Sequence, residues 1–181
     1  MLLVLASVRV SLADSMWLVD TRSMTTIRLS PAEQSQISQL RQWFTSLEEL
    51  QLWGGPAMGW ARTEQDWYRM INWPQCPSFL MHEGPEFIGF GQVRYLVNDS
   101  EADCCHLARL IISPGSRGRG FGEQLIKRLM QQGERLWRAQ AYSLYVYQHN
   151  EPAIKLYRKL GFQPEGCYEG FEKVLRMVKR G

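Results

Sequence analysis

The stretch LARLIISPGSRGRGFGEQLIKRLM, residues 107–130, sets an apolar run, three glycines at alternate positions and an amphipathic run one after another. Glycine accepts backbone angles closed to other residues, so Gly118, Gly120 and Gly122 suit a tight strand-to-helix turn. A helix opening after such a turn aims its first unpaired N–H groups and its positive dipole end at whatever sits there. Arg117 and Arg119 add charge of the same sign. The chemistry favoured is capture of an anion, with a pyrophosphate as the natural guest. The spacing is neither the dinucleotide GxGxxG nor a Walker loop, because no Gly-Lys-Ser/Thr follows. The plain alternative is a connection whose arginines are merely solvated.

A second stretch, SLYVYQHNEPAIKLYRKLGF at residues 143–162, reads as a buried strand and a short helix. Asn150 caps the helix, Pro152 stands in its first turn and Gly161 stops it. Tyr157 shares helical spacing with Ile154 and Leu160, which taken alone makes it a buried packing residue.

With the two stretches in this order, the chain resembles the GNAT family of N-acetyltransferases over roughly residues 79–178. The family's coenzyme A loop, Gln/Arg-x-x-Gly-x-Gly/Ala, stands here as Arg117-Gly118-Arg119-Gly120-Phe121-Gly122, after a strand ending in Ile112-Ser113-Pro114. The resemblance implies an acetyl-CoA-dependent N-acetyltransferase acting on a primary amine of a small molecule or peptide, with no metal. Backbone groups of Leu110, Ile111 and Ile112 would pair with the pantetheine arm. Amides from Arg117 through Glu123 would hold the pyrophosphate, Asn150 would contact the cofactor, and Tyr157 would protonate the departing thiolate. The chemistry requires such parts: a neutral amine, a polarised thioester carbonyl, for which a backbone N–H near Ile112 would serve, and a proton for sulfur. A phenol, with a reference pKa of about 10, donates that proton without being ionised at neutral pH.

The pattern departs where several family members place a glutamate that takes the amine proton; Tyr145 occupies that position. Glu101, Asp103, His106, Tyr145, Tyr147 and His149 are the other candidates, and transfer without a dedicated base is also open. The departure admits a second reading, a coenzyme A-binding sensor that has lost catalysis.

The acceptor pocket is expected from residues 43–73, which hold Trp43, Trp53, Trp60, Trp67, Tyr68 and Trp73. Trp43 and Trp67 lie at helical spacing and read as core, whereas Trp53 and Trp60, beside glycines, read as pocket residues able to hold a cation over their faces. Glu48, Glu49, Glu64 and Asp66 could attract a cationic amine or merely cap helices.

The elements that must position these groups follow from periodicity. Thr25–Leu29 predicts an opening strand. Ser30-Pro31-x-Glu33 predicts a helix start, and Ile37, Leu40, Trp43 and Phe44 give that helix a buried face. Trp53 to Pro56 predicts a loop, and Thr63 with Asp66 starts another helix carrying Trp67, Met70 and Ile71. Residues 79–82 and 87–97 predict a hairpin across Gly84-Pro85, 107–112 a strand, 120–132 a helix, 143–147 a strand and 171–178 a closing strand. The order predicts a mixed α+β domain: one mostly antiparallel mixed sheet of about six to seven strands with helices on both faces.

At 181 residues the chain suits one domain, expected over 24–181 behind an extension over 1–23. The first residues, MLLVLASVRVSLADSMW, have no basic leader and an apolar run too short to span a bilayer, so neither a signal nor a membrane anchor is expected. A net charge of +3 is too small to argue for nucleic acid; Lys127, Arg128, Arg135 and Arg138 read as one solvated helix face. Cys76, Cys104, Cys105 and Cys167 lack zinc-ligand spacing and read as reduced thiols of a cytoplasmic protein. A homodimer remains open.

Overall fold

Residues 26–96 and 103–181 are the described part of a computed structural model, so the extension expected over 1–23 lies outside the described residues. Strand β1 (Ile27–Pro31) extends past the expected Leu29, because Ser30 and Pro31 pair with Leu80 and Phe79. Held in the sheet, neither can start a helix. The cap moves to Glu33, which exchanges bonds with Gln36 in a capping box, and α1 (Gln34–Gln39) follows with a 3-10 turn over Leu40–Trp43. Ile37, Leu40 and Phe44 are buried, as their spacing requires.

Helix α2 (Leu47–Gly54) replaces the expected loop at Trp53 and Gly54. The Ser46 hydroxyl accepts the Glu49 N–H at 3.1 Å, and Gly55, at φ 98°, ends the helix in a conformation that a side chain would strain. Helix α3 (Glu64–Met70) starts at the predicted Thr63/Asp66 capping box.

Strands β2 (Ser78–Glu83) and β3 (Glu86–Tyr95) form the expected hairpin, and β4 (Cys104–Ile112) runs antiparallel to β3. Helix α4 (Phe121–Trp137) continues beyond Gln132, followed by β5 (Ala141–Tyr147), α5 (Glu151–Lys159), β6 (Gln163–Tyr168) and β7 (Phe171–Arg180). Strand β6 was not foreseen: Pro164 and Gly166 interrupt it and its surface is mostly exposed, so no alternation marks it.

The sheet runs β1-β2-β3-β4-β5-β7-β6, and among the described residues its one parallel pair is β4 with β5. Successive strand residues point to opposite faces. Met81, Ile88, Val93, Leu144 and Val146 therefore pack with α4 and α5, while Leu80 and Phe90 pack with α1, α2 and α3. Each fully buried aliphatic or aromatic side chain contributes about 1.5–3 kcal/mol. Trp67 also donates its indole N–H to the Ile37 carbonyl at 2.9 Å, which leaves no polar atom of the ring unsatisfied in that core. No residue of α5 is fully buried, so Ile154, Tyr157 and Leu160 are packed but only partly covered. The reason is that the same helix borders an opening in the sheet.

Candidate active site

Two interruptions of the ladder make that opening. In β3 and β4, Gln92 faces Ala108 but Phe90 faces Ile111, so β4 carries one residue more than its partner between these pairs. The extra residue falls at Arg109, whose φ is 51°. A non-glycine side chain in this region costs on the order of 1 kcal/mol. The Arg109 guanidinium is fixed by donating to Gln92 Oε1 at 2.8 Å and to the Met70 carbonyl at 2.9 Å. Gln92, buried, in turn donates to the Ile71 carbonyl and to Ser78 Oγ, both at 2.9 Å. The bulge is thus tied to the C-terminal end of α3.

The second interruption lies between β4 and β5, which pair only over Cys104–His106 with Ala141–Ser143. Beyond these residues the strands part and leave a cavity of about 850 Å³. Its walls come from β4, β5, α5, the end of α2 and the loop after it, with Tyr168, Phe171 and Val174 closing one side. Leu110, Ile111, Ile112, Arg117, Asn150 and Tyr157 all line it. Backbone groups of Leu110 to Ile112 lie where β5 no longer pairs with them.

Residues 118–123 do not line this cavity but follow directly on Arg117. Gly118 and Gly120 have φ of 76° and 80°, and Gly120 is the N-cap of α4 with no side chain to satisfy the helix amides. Among the described residues, no acceptor takes the N–H of Gly118, Arg119, Gly120, Phe121, Gly122 or Glu123. Six successive unpaired amides at the positive end of a 17-residue helix form a cradle for an anion. The orphan donors fit a pyrophosphate.

Three side chains here differ from expectation. Arg119 is engaged by Glu83, with Nη1 donating to Oε2 at 2.8 Å, and its guanidinium lies 4.6 Å over the Phe121 ring, so its charge is neutralised by a carboxylate. Gly122 is helical rather than part of the turn; a Cβ there would meet Leu156 Cδ2 at 3.1 Å, which makes it a contact residue between α4 and α5. The Glu123 carboxylate accepts from Lys127 and Lys159 at 2.7 and 2.6 Å, which holds it at about 2. Arg117 donates its Nε to the Ile112 carbonyl at 3.2 Å.

Asn150 accepts the Ala153 N–H on Oδ1 at 3.3 Å, capping α5 at the cavity edge. Burial pushes the Tyr157 phenol up to about 12, so it keeps its proton at every ordinary pH. Among the described residues its hydroxyl has no hydrogen-bond partner. Of the base candidates, His106, Tyr145 and Tyr147 line the cavity; Asp103 and His149 do not, and Glu101 lies outside the described residues. His106 is buried at the point where the strands part, its Nδ1 3.0 Å from Ser143 Oγ and its ring 4.8 Å from that of Tyr145.

The family model described as the acetyltransferase (GNAT) family matches residues 38–162, which include the divergent strands, the amide cradle and the helix bearing Tyr157. The chain belongs to the GNAT family. A spermine/spermidine N(1)-acetyltransferase of Bacillus subtilis is 30% identical over 93 residues, 50% of this chain and 60% of that protein. A mycothiol acetyltransferase of Corynebacterium glutamicum is 27% identical over 169 residues, 90% of this chain and 54% of that protein. The chain thus spans little more than half the length of these curated relatives. In fold it is similar to a spermidine N-acetyltransferase from Vibrio cholerae in complex with CoA and spermine, at a TM-score of 0.68 and 19% identity, covering 85% of this chain and 95% of that one.

Over residues 43–73, where an acceptor pocket is expected, this GNAT domain departs from expectation. Trp53 lines the cavity and stacks on Trp67 at 5.7 Å, with its Nε1 buried and unpartnered, whereas Trp60 is 54% exposed and outside the lining. Trp43 packs on Phe87 at 4.5 Å and Tyr68 on Trp73 at 5.1 Å; Tyr68 is buried in the core and the other three lie partly buried against it. Glu49 reaches the lining, but its carboxylate accepts from Thr45 N and Oγ1 at 2.9 and 2.8 Å, and these bonds hold its pKa down. Glu64 and Asp66 occupy the first turn of α3. Arg94, Arg109, Tyr168 and Phe171 also line the cavity and were not foreseen. The charged Arg109 breaking the apolar run LARLII was the one visible sign. Among the described residues no group of His, Cys, Asp and Glu is placed to hold a metal ion, and no helix is long and apolar enough to cross a membrane.

Proposed function

We propose that the protein transfers an acetyl group from acetyl-CoA to the amine of a small molecule or peptide by direct attack. The observation that carries this reading is the junction of two features: an opening between β4 and β5 and, directly beside it, six unpaired amides at the start of α4. A thioester arm with a pyrophosphate at its far end needs both. Amides of Gly118 to Glu123 hold the pyrophosphate, assisted by Arg117. Backbone groups of Leu110 to Ile112 on the edge that β5 leaves align the pantetheine, and a backbone N–H near Ile112 polarises the carbonyl. Asn150 contacts the arm from the rim.

The neutral amine nitrogen attacks the thioester carbon, forming the C–N bond as the C–S bond breaks. Tyr157, which holds its proton at neutral pH, gives it to the departing sulfur as negative charge develops there. The amine proton passes to His106, directly or through water; the imidazole lines the same cavity with Nδ1 oriented by Ser143. Tyr145, where a glutamate would give a clear base, sustains the second reading, a coenzyme A sensor without turnover. Cys76, Cys104, Cys105 and Cys167, none of them in a disulfide among the described residues, suit a reducing compartment such as the cytoplasm.

Isothermal titration with acetyl-CoA, followed by thiol release against amines and peptides, tests this. Binding with acceptor-dependent release is expected. Binding without release across the panel supports the sensor, and absence of binding overturns both.

A further inference from the structure

Arg94 and Arg109 lie on the face of the sheet that floors the acceptor side of the cavity. Arg94 is the direct register partner of His106, and Arg109 is the bulge residue of the same strand. Both side chains are partly withdrawn from water and both line the cavity. Burial first, and then the Arg94 guanidinium, push Arg109 below the usual guanidinium range. Nε of each is buried with no acceptor. No carboxylate among the described residues is in ion-pair range of either, since Glu49 is bound by Thr45 and the acids of α3 serve its first turn. The acceptors that Arg109 has, Gln92 Oε1 and the Met70 carbonyl, are neutral, so two like charges half-removed from water without a counter-ion among the described residues are unfavourable until an anion joins them. A polycation entering the same space would meet repulsion.

We propose that the acceptor amine belongs to an amino-acid-like molecule whose carboxylate is held by Arg94 and Arg109. The inference rests on the acetyltransferase reading and narrows it. Opposed residues of a ladder lie about 5 Å apart, so an anion at Arg94 sets the rest of the molecule beside His106. That spacing suits an amine one or two atoms from its carboxylate. Tyr145, Tyr168 and Phe171, with ring centroids 4.7 and 5.4 Å apart in succession, flank the space left for a side chain.

The test uses the full chain with saturating acetyl-CoA, measuring thiol release with common amino acids, the carboxamide of each, and spermidine. At least one amino acid is expected to be acetylated, with kcat/KM falling roughly tenfold or more in its carboxamide and further for spermidine. Arg94→Gln should raise KM for that amino acid about tenfold while the Kd for acetyl-CoA stays unchanged, and Arg94→Lys should recover part of the loss. Independently of turnover, the CoA-bound protein should bind the corresponding N-acetyl amino acid and not N-acetylspermidine. Equal or better use of spermidine or of the carboxamide overturns the proposal and leaves the acetyltransferase reading standing. The same holds if no N-acetyl amino acid binds and none of the amino acids is acetylated. Failure to bind acetyl-CoA removes the acetyltransferase reading itself, and the acceptor proposal with it.

Discussion

His106 Nδ1 lies 3.0 Å from Ser143 Oγ, and these two residues are also the last register pair that β4 and β5 share. The imidazole is therefore oriented by the strand that is about to leave it, in the wall of the cavity. His106→Gln is expected to lower kcat about a hundredfold, the lower range for loss of a positioned base, with little change in Kd for acetyl-CoA. Ser143→Ala should lower kcat less and shift the acid limb of the pH–rate profile. An unaltered profile in both variants removes His106 from the proton path.

The φ of 80° at Gly120 with open space around its Cβ position separates two effects that usually coincide. Asparagine tolerates this conformation without adding charge, so Gly120→Asn should bind acetyl-CoA within about tenfold of the parent. Gly120→Asp places a carboxylate among the six amides and should abolish binding in a calorimetric titration. Equal affinities for the two variants would falsify the cradle assignment.

Tyr157→Phe removes only the hydroxyl, whose loss leaves no partner unsatisfied among the described residues. It should lower the single-turnover rate by about a hundredfold and leave the Kd for acetyl-CoA unchanged. Because the phenol titrates at about 12, the parent's rate should show no alkaline fall from this group below roughly that pH. A pH–rate comparison of parent and variant checks this: an alkaline limb near 10 that disappears in the variant would show that the phenol is as well solvated as a free one.

Gly133 lies in the middle of α4, where alanine ordinarily gains about 1 kcal/mol of helix propensity. Its added Cβ would lie 2.7 Å from Cys105 Sγ and 3.2 Å from the Tyr142 ring, both buried. Overpacking of this kind costs about 1–3 kcal/mol, so Gly133→Ala should lower the unfolding midpoint in urea. A raised midpoint would show that β4 and α4 can part at no cost.

Local chemistry was legible where one residue's own properties settle its role. Thr63 with Asp66, Asn150, and the glycines at 118 and 120 act within a few residues, and each stands as its type and spacing indicate. Helix α2 and strand β6 were not legible, because the turn formers Gly54 and Gly55 stand at the end of a capped helix, and Pro164 and Gly166 stand in an exposed strand. Ser30 and Pro31 read as a helix start until a partner strand claimed their backbone.

The sequence by itself determined the glycine turn that opens α4, the helix that carries Tyr157 and the alternation that buries one sheet between two helical layers, since these follow from backbone freedom, capping and periodicity. Only the tertiary structure decided which charges face the cavity. Arg119 went to Glu83 from β2, Glu49 to its own helix start, and Arg94 and Arg109 to the floor beside His106. Those outcomes depend on where β4 gains a residue and where it parts from β5. Both events arise from strand pairing between segments distant in the chain, which no local pattern of residues encodes.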